Sequence, residues 1–178
     1  MEQEEQKQQE QNERQQRLHD LTDRIELLSE RDLRVVENTV DALYGMKTNK
    51  YPFLGNFLQI VQEERGENGR FLCSMPIRPD LLNPYRIVYG GITATLADMA
   101  MGWMLETEVD GRDKFVTIDM NVHYHNPGVG KRLLATAWVT HHSKEIWQAS
   151  CEIVSDRGHL VATASATFLR LIRSKPGE

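Results

Sequence analysis

Asp98 is the only formally charged residue between Ile87 and Leu105. A lone carboxylate in so apolar a run is costly to bury unless it is paired or used. Burial favours the neutral form of a carboxyl group and so raises its basicity, which suits a general base. A loop cap, or a pairing with an arginine from another element, would satisfy the same residue without chemistry. Gly90 and Gly91 open the same run. Two glycines let a backbone approach a ligand closely. The first N–H groups of a helix lack helical partners and carry the positive end of its dipole. Such amides can hold a polarised carbonyl, as an oxyanion hole does. A tight packing turn would use the same two glycines.

The segment from Val116 to His125 alternates apolar and polar residues. On a regular strand Val116, Ile118, Met120, Val122 and Tyr124 face one way, and Thr117, Asp119, Asn121, His123 and His125 the other. His123 and His125 have the spacing of metal ligands, but no third ligand stands near them, so no metal site is expected. The chain has no P-loop, GxSxG elbow, GxGxxG or HExxH.

The elements that must hold these residues can be read from periodicity. Residues 1–17 are a Gln/Glu-rich tail, with seven Gln and five Glu in the first sixteen, expected to be disordered or a frayed helix. Residues 18–46 form a helical extension. Leu18, Leu21, Ile25 and Leu28 line one face, and Leu33, Val36, Val40 and Leu43 another. Ser29-Glu30-Arg31-Asp32 between them resembles a capping box with Asp in the Glu position. The spacing predicts one kinked helix or two short ones, packed on their own domain or on a partner helix. Strands are expected at 57–63 and 70–77, joined by the turn Gly66-Glu67-Asn68-Gly69. A buried helix follows over 91–107, then strands at 115–125, 132–140, 146–154 and 160–169. Asp156-Arg157-Gly158 has the composition of a hairpin turn. Strand runs around one interposed helix give an α+β class with a mostly antiparallel sheet. The 91–107 helix is apolar or small nearly all round and must be covered on most sides. A curved sheet covers part of it, and a second copy of the chain would cover the rest. Met99, Met101, Trp103 and Met104 on this helix fill core or line a tunnel beside it.

The chain has 178 residues and a net charge of −5. That length builds one core without disulfides or metal, and the charge gives no reason to bind nucleic acid. Cys73 and Cys151 lie far apart in apolar runs, as two buried thiols in a reducing compartment would. No leader-like segment follows Met1 and no run reaches a membrane span, so the expectation is a cytoplasmic protein with no membrane contact.

The stretch from Asn83 through Tyr89-Gly90-Gly91 to Leu96-Ala97-Asp98 resembles the signature of the PaaI-type hotdog-fold acyl-CoA thioesterases. Val116 to Asn121 is similar to the family's next strand, and Asn126-Pro127-Gly128-Val129-Gly130 to its following turn. The likeness covers about residues 52–170. It implies a hotdog domain over 47–173, a curved antiparallel sheet wrapped round one long helix. It also implies a thioester hydrolase that needs no cofactor. By position it makes Asp98 the catalytic carboxylate and Gly90 the amide that polarises the carbonyl. Asn83 would position water or substrate, and the Thr117 hydroxyl would hold the nucleophilic water. Tyr89 stands where the family has His, and with Gly91 it would border the substrate. Lys144 and Arg132 are candidates for the coenzyme's phosphates. The family's sites form between two subunits, so a homo-oligomer is expected, a dimer or a dimer of dimers.

Two further readings stand beside hydrolysis. One is a non-catalytic acyl-CoA-binding module with a regulatory or assembly role. The other is a hotdog dehydratase, which the missing active-site His disfavours.

Overall fold

The computed structural model describes residues 2–63, 70–109 and 113–172. It divides into two compact units, 1–50 and 51–178. The first unit is helical. Helix α1 spans Glu2–Glu26 and α2 spans Glu30–Thr48. α1 continues through position 17 without a break. Gln, Glu, Lys and Arg are good helix formers, and side-chain pairs four apart, such as Gln9 with Glu13 and Gln16 with Asp20, brace the exposed turns. Ser29 ends the break between the two helices. Its side chain caps α2 by accepting from the Asp32 amide, while its hydroxyl donates to the Asp32 carboxylate at 2.7 Å. The reciprocal bond of a full capping box is replaced by this side-chain pair, since Asp is one methylene shorter than Glu.

The second unit is a six-stranded sheet with one long helix. Strands β1 (Val61–Gln62), β2 (Phe71–Pro76), β3 (Lys114–Tyr124), β4 (Arg132–His142), β5 (Ile146–Ser155) and β6 (Leu160–Leu171) lie in the order β1-β2-β4-β5-β6-β3. Every neighbouring pair is antiparallel. Of the expected strand over 57–63 only two residues pair as β1; a short helix, α3 (Phe53–Phe57), ends at its first position, and residues 58–60 form a turn and irregular chain. Pro52 presets the helix start, Phe53 stacks on Phe57 at 5.8 Å, and Gln59 at φ 55° breaks the extended path. Leu58 and Ile60 are buried in the core without being strand residues. The expected turn at 66–69 lies outside the described residues.

Helix α4 spans Gly90–Thr107. Leu96, Ala97, Ala100, Met101, Met104 and Leu105 are buried on it. They belong to one apolar cluster with Met75 of β2, Leu133 of β4, Ile153 of β5 and Phe168 of β6. Each fully buried Leu, Met or Phe side chain stabilises the fold by about 1.5–3 kcal/mol. Met101 and Met104 fill this core, while Met99 and Trp103 are partly buried against it. Cys73 and Cys151 are buried free thiols in the same cluster. Burial first, then the Glu63 charge, pushes the Cys73 thiol up to about 12, so it stays protonated and inert. No helix among the described residues is long and apolar enough to cross a membrane.

The β3–β4 connection closes on Gly130, whose φ is +120°. A Cβ there would run into the Asp156 carboxylate, which accepts from the Lys131 amide at 3.2 Å. Both the backbone angle and the carboxylate exclude a side chain. Gly130→Ala should therefore cost about 1–3 kcal/mol of stability. An unchanged urea midpoint for that variant would show that the turn tolerates a side chain.

Candidate functional site

The residues from Asn83 to Gly90 form a loop that delivers the start of α4. Asn83 builds it. Its side-chain oxygen accepts from the amides of Tyr85 at 2.9 Å and Ile87 at 3.3 Å. Its backbone N–H donates to Ile87 O and its carbonyl accepts from Arg86 N. Arg86 is held at φ 60°, a left-handed conformation uncommon for a non-glycine residue. The Asn83 carboxamide oxygen is thus engaged in shaping the loop. Val88 N donates to Gly128 O and Tyr89 N to Leu81 O, which ties the loop to the β3–β4 connection and to the segment after β2.

Tyr89 is the N-cap of α4 and has no side-chain capping bond. Its carbonyl accepts from Thr93 N at 3.1 Å. The amides of Gly90, Gly91 and Ile92 remain at the open end of the helix, where orphan N–H groups and the dipole favour an oxygen with developing negative charge. A cleft of about 310 Å³ lies here, lined by Asn83, Ile87, Gly90, Thr93, Tyr124 and Gly128 among others. Tyr124 comes from β3, and its hydroxyl donates to the Gly90 carbonyl at 2.7 Å. The sequence reading did not single out this residue. Its signal was only an apolar-phase position near a strand end.

Asp98 is half-buried in the chain taken alone, less enclosed than the apolar run around it implied. Its carboxylate accepts from the Thr117 hydroxyl at 2.8 Å. The meeting of these two residues depends on a β-bulge. Thr117 pairs with Phe168 and Asp119 with Thr167, so Ile118 has no partner in the ladder. Phe168, Ala166, Ala164 and Ala162 share the core face of β6, and they oppose Thr117, Met120, Val122 and Tyr124. The extra residue turns Thr117 onto the inner face with Met120, where strict alternation had placed it with Asp119 and Asn121. Asp98 and Gly90 are separated along α4 by more than two turns, about 12 Å of helix axis. Within one chain the carboxylate and the open amides therefore do not converge on one atom.

The two cationic candidates also separate. Arg132 begins β4, and Lys144 follows its end. The eleven-residue strand lies between them, a span of up to about 36 Å when fully extended. Arg132 is near Glu63 at 3.7 Å and borders an open cleft with Lys131 and Asp156. Lys144 is an exposed turn residue. His125 Nε2 lies 2.9 Å from Thr163 Oγ1 on the outer face. Among the described residues no group of three His, Cys, Asp or Glu side chains could hold a metal ion.

Comparison with known proteins places this geometry. The thioesterase superfamily profile matches residues 85–162, which takes in the loop from Tyr85 onward, α4, β3, β4 and β5. Acyl-coenzyme A thioesterase 13 from Mus musculus is 27% identical over 120 residues, covering 66% of this chain and 85% of the mouse protein. The human protein of that name is 29% identical over 101 residues, covering 56% of this chain and 71% of its own. The crystal structure of the BH2602 protein from Bacillus halodurans with CoA superposes at a TM-score of 0.75. It is 36% identical and covers 84% of this chain and 98% of that one. Thioesterase HI1161 from Haemophilus influenzae shares the fold at a TM-score of 0.66 and 17% identity, over 76% of this chain and 92% of its own.

Asn83→Ala tests whether the loop depends on that side chain. Two amides lose their acceptor, and Arg86 loses what holds it left-handed. The variant should be destabilised by about 1–2 kcal/mol, with faster hydrogen exchange at the Tyr85 and Ile87 amides. Unchanged protection at both amides would show that the loop holds its shape without Asn83.

Proposed function

We propose that this chain, which belongs to the thioesterase superfamily and is a thioester hydrolase, acts on acyl-coenzyme A at a site shared by two copies. The observation that carries this reading is the separation of two half-sites on one helix. One half is the open N-terminal end of α4, with the Gly90 amide facing a cleft. The other is the Asp98–Thr117 pair on the side of the same helix. Each lacks what the other has, and a second copy can bring them together.

The chemistry follows from those groups. The thioester carbonyl would lie against the Gly90 amide, where the helix dipole and orphan N–H groups favour charge on its oxygen. Asp98 of the other copy would take a proton from a water that attacks the carbonyl carbon. Thr117 donates to the Asp98 carboxylate and in that way would orient the remaining oxygen toward the water. The tetrahedral intermediate would then expel the coenzyme A thiolate, leaving a free carboxylic acid. Asn83 would act through the loop it shapes. Tyr89 and Gly91 border the acyl entrance in this reading. Arg132 and Lys144, at opposite ends of β4, can serve the coenzyme's phosphates only from different copies or one at a time. Direct attack by Asp98 on the carbonyl is the alternative for that residue. Simple acyl-CoA binding without turnover is the alternative for the protein.

A long edge strand supports assembly. β3 lies at the sheet edge and pairs only with β6 among the described residues. Its eleven residues leave a row of unpaired backbone groups, and Val116 and Ile118 stand 45% and 56% exposed on it. A second copy along this edge would extend the sheet and cover those side chains.

Asp98→Asn keeps the shape of the side chain and removes the proton acceptor. Turnover of acyl-CoA should fall by about two to four orders of magnitude with KM changed far less. Melting temperature should hold or rise, because an amide is cheaper to bury than a carboxylate. A folded variant turning over at the wild-type rate would remove Asp98 from the mechanism.

The shared site has its own test. Gly90→Pro removes the amide hydrogen at the first helical position, where proline is tolerated. Asp98→Asn and Gly90→Pro chains should each be inactive alone. Mixed in equal amounts and allowed to exchange, half the dimers carry one intact site, so activity should return to roughly a quarter of wild type. No recovery in a mixture shown by sedimentation to contain exchanged dimers would place both groups in one chain's site.

A further inference from the structure

We infer that Tyr124 is a positioning residue that strengthens the amide donors at the start of α4, an inference that rests on the thioesterase reading above. Its hydroxyl donates to the Gly90 carbonyl at 2.7 Å. Gly90 is the first residue of α4, so this oxygen also receives the helical bond from four residues on. A second donor draws electron density along the Gly90–Gly91 peptide unit toward the carbonyl oxygen. The N–H of that unit belongs to Gly91, so the bond strengthens a second donor beside the Gly90 amide and leaves the Gly90 N–H itself unchanged.

Space at the helix end agrees with this division of labour. A Cβ added at Gly91 would meet nothing within 4 Å, so the side-chain side of that residue is open. A Cβ added at Gly90 would lie 3.2 Å from the Tyr124 hydroxyl oxygen. The tyrosine ring therefore fills the side of the first turn that glycine leaves open, and its hydroxyl fixes the height of that turn against the sheet. Tyr124 is 54% exposed, so little core burial depends on its hydroxyl. The bond to Gly90 is what Tyr→Phe removes.

The placement also connects the two halves of the proposed site. Tyr124 and Thr117 stand on the same face of β3, on either side of the Ile118 bulge. Thr117 holds Asp98 and Tyr124 holds the helix end. One strand, the edge offered to a second copy, thus fixes both groups of atoms that the chemistry needs.

Tyr124→Phe in the full chain is the experiment, read in three ways. Steady-state hydrolysis of a panel of acyl-CoAs should show kcat reduced about three- to tenfold, the span of one ordinary hydrogen bond. Affinity for an S-alkyl coenzyme A thioether, which has no carbonyl to polarise, should stay within about twofold. The Gly91 amide nitrogen resonance should move upfield, because its peptide unit loses a donor on the carbonyl oxygen. Rates are taken per folded chain, so that any loss of stability is removed from the comparison. Wild-type kcat in the variant, with hydrolysis by the parent intact, would overturn the inference and leave the thioesterase reading standing. A drop shared equally by the thioether affinity would also overturn it, by making Tyr124 a binding surface. A parent protein that hydrolyses no acyl-CoA would overturn the thioesterase reading and this inference with it.

Discussion

Covering α4 is the constraint on which the rest of the structure depends. The helix has one formal charge before its last turns and is buried along much of its circumference. A helix of that kind cannot face water. Strands β2, β4, β5 and β6 present small and branched inner residues to it, and Ala135, Ala137, Ala149 and Ala162 let the backbone of the sheet come close. Large side chains from the helix then fill the space that the alanines leave. Once the helix is held in this way, its N-terminal end has to emerge at one edge of the sheet, and the loop from Asn83 to Tyr89 has to bring it there.

Polar groups in such a setting are placed by the backbone more than by their own length. The Gly90 amide is aimed by the helix axis. Asp98 is aimed by its position on the helix flank, and Thr117 by a bulge in the strand opposite. None of these needs a long flexible side chain to reach its partner, so little side-chain entropy is lost in holding them. In the proposed mechanism the same economy leaves the ring at Tyr89 without a part in aiming the donor. The amide that follows it takes its direction from the helix, whatever ring precedes it.

The helical unit over 1–50 follows different rules. Its residues are strong helix formers with few apolar contacts, and Leu18, Leu21, Leu43 and Tyr44 are about half-exposed. Propensity and neighbouring polar pairs are enough to draw the helices.

Much of the second unit was legible in the sequence because burial leaves a periodic trace. The uncharged run marked α4 to within a residue of its start, and four strands followed from apolar alternation with turn residues between them. The lone Asp98 and the paired glycines stood out because their types conflict with that background. Local order alone determined these elements. Three features were decided by the tertiary structure. Around Phe57, apolar residues that looked like a strand form a helical turn, because Pro52 and Gln59 set the backbone while the core takes Leu58 and Ile60 from irregular chain. On β3, the bulge at Ile118 changes which face Thr117 occupies. A period of two carries no sign of an extra residue, which exists only relative to the register of β6. Tyr124 keeps the face that alternation gives it, and only the packing of α4 on the sheet brings its hydroxyl to Gly90. The sequence contains both residues thirty-four positions apart, and a contact at that separation is fixed by how the sheet closes on the helix, not by any local pattern.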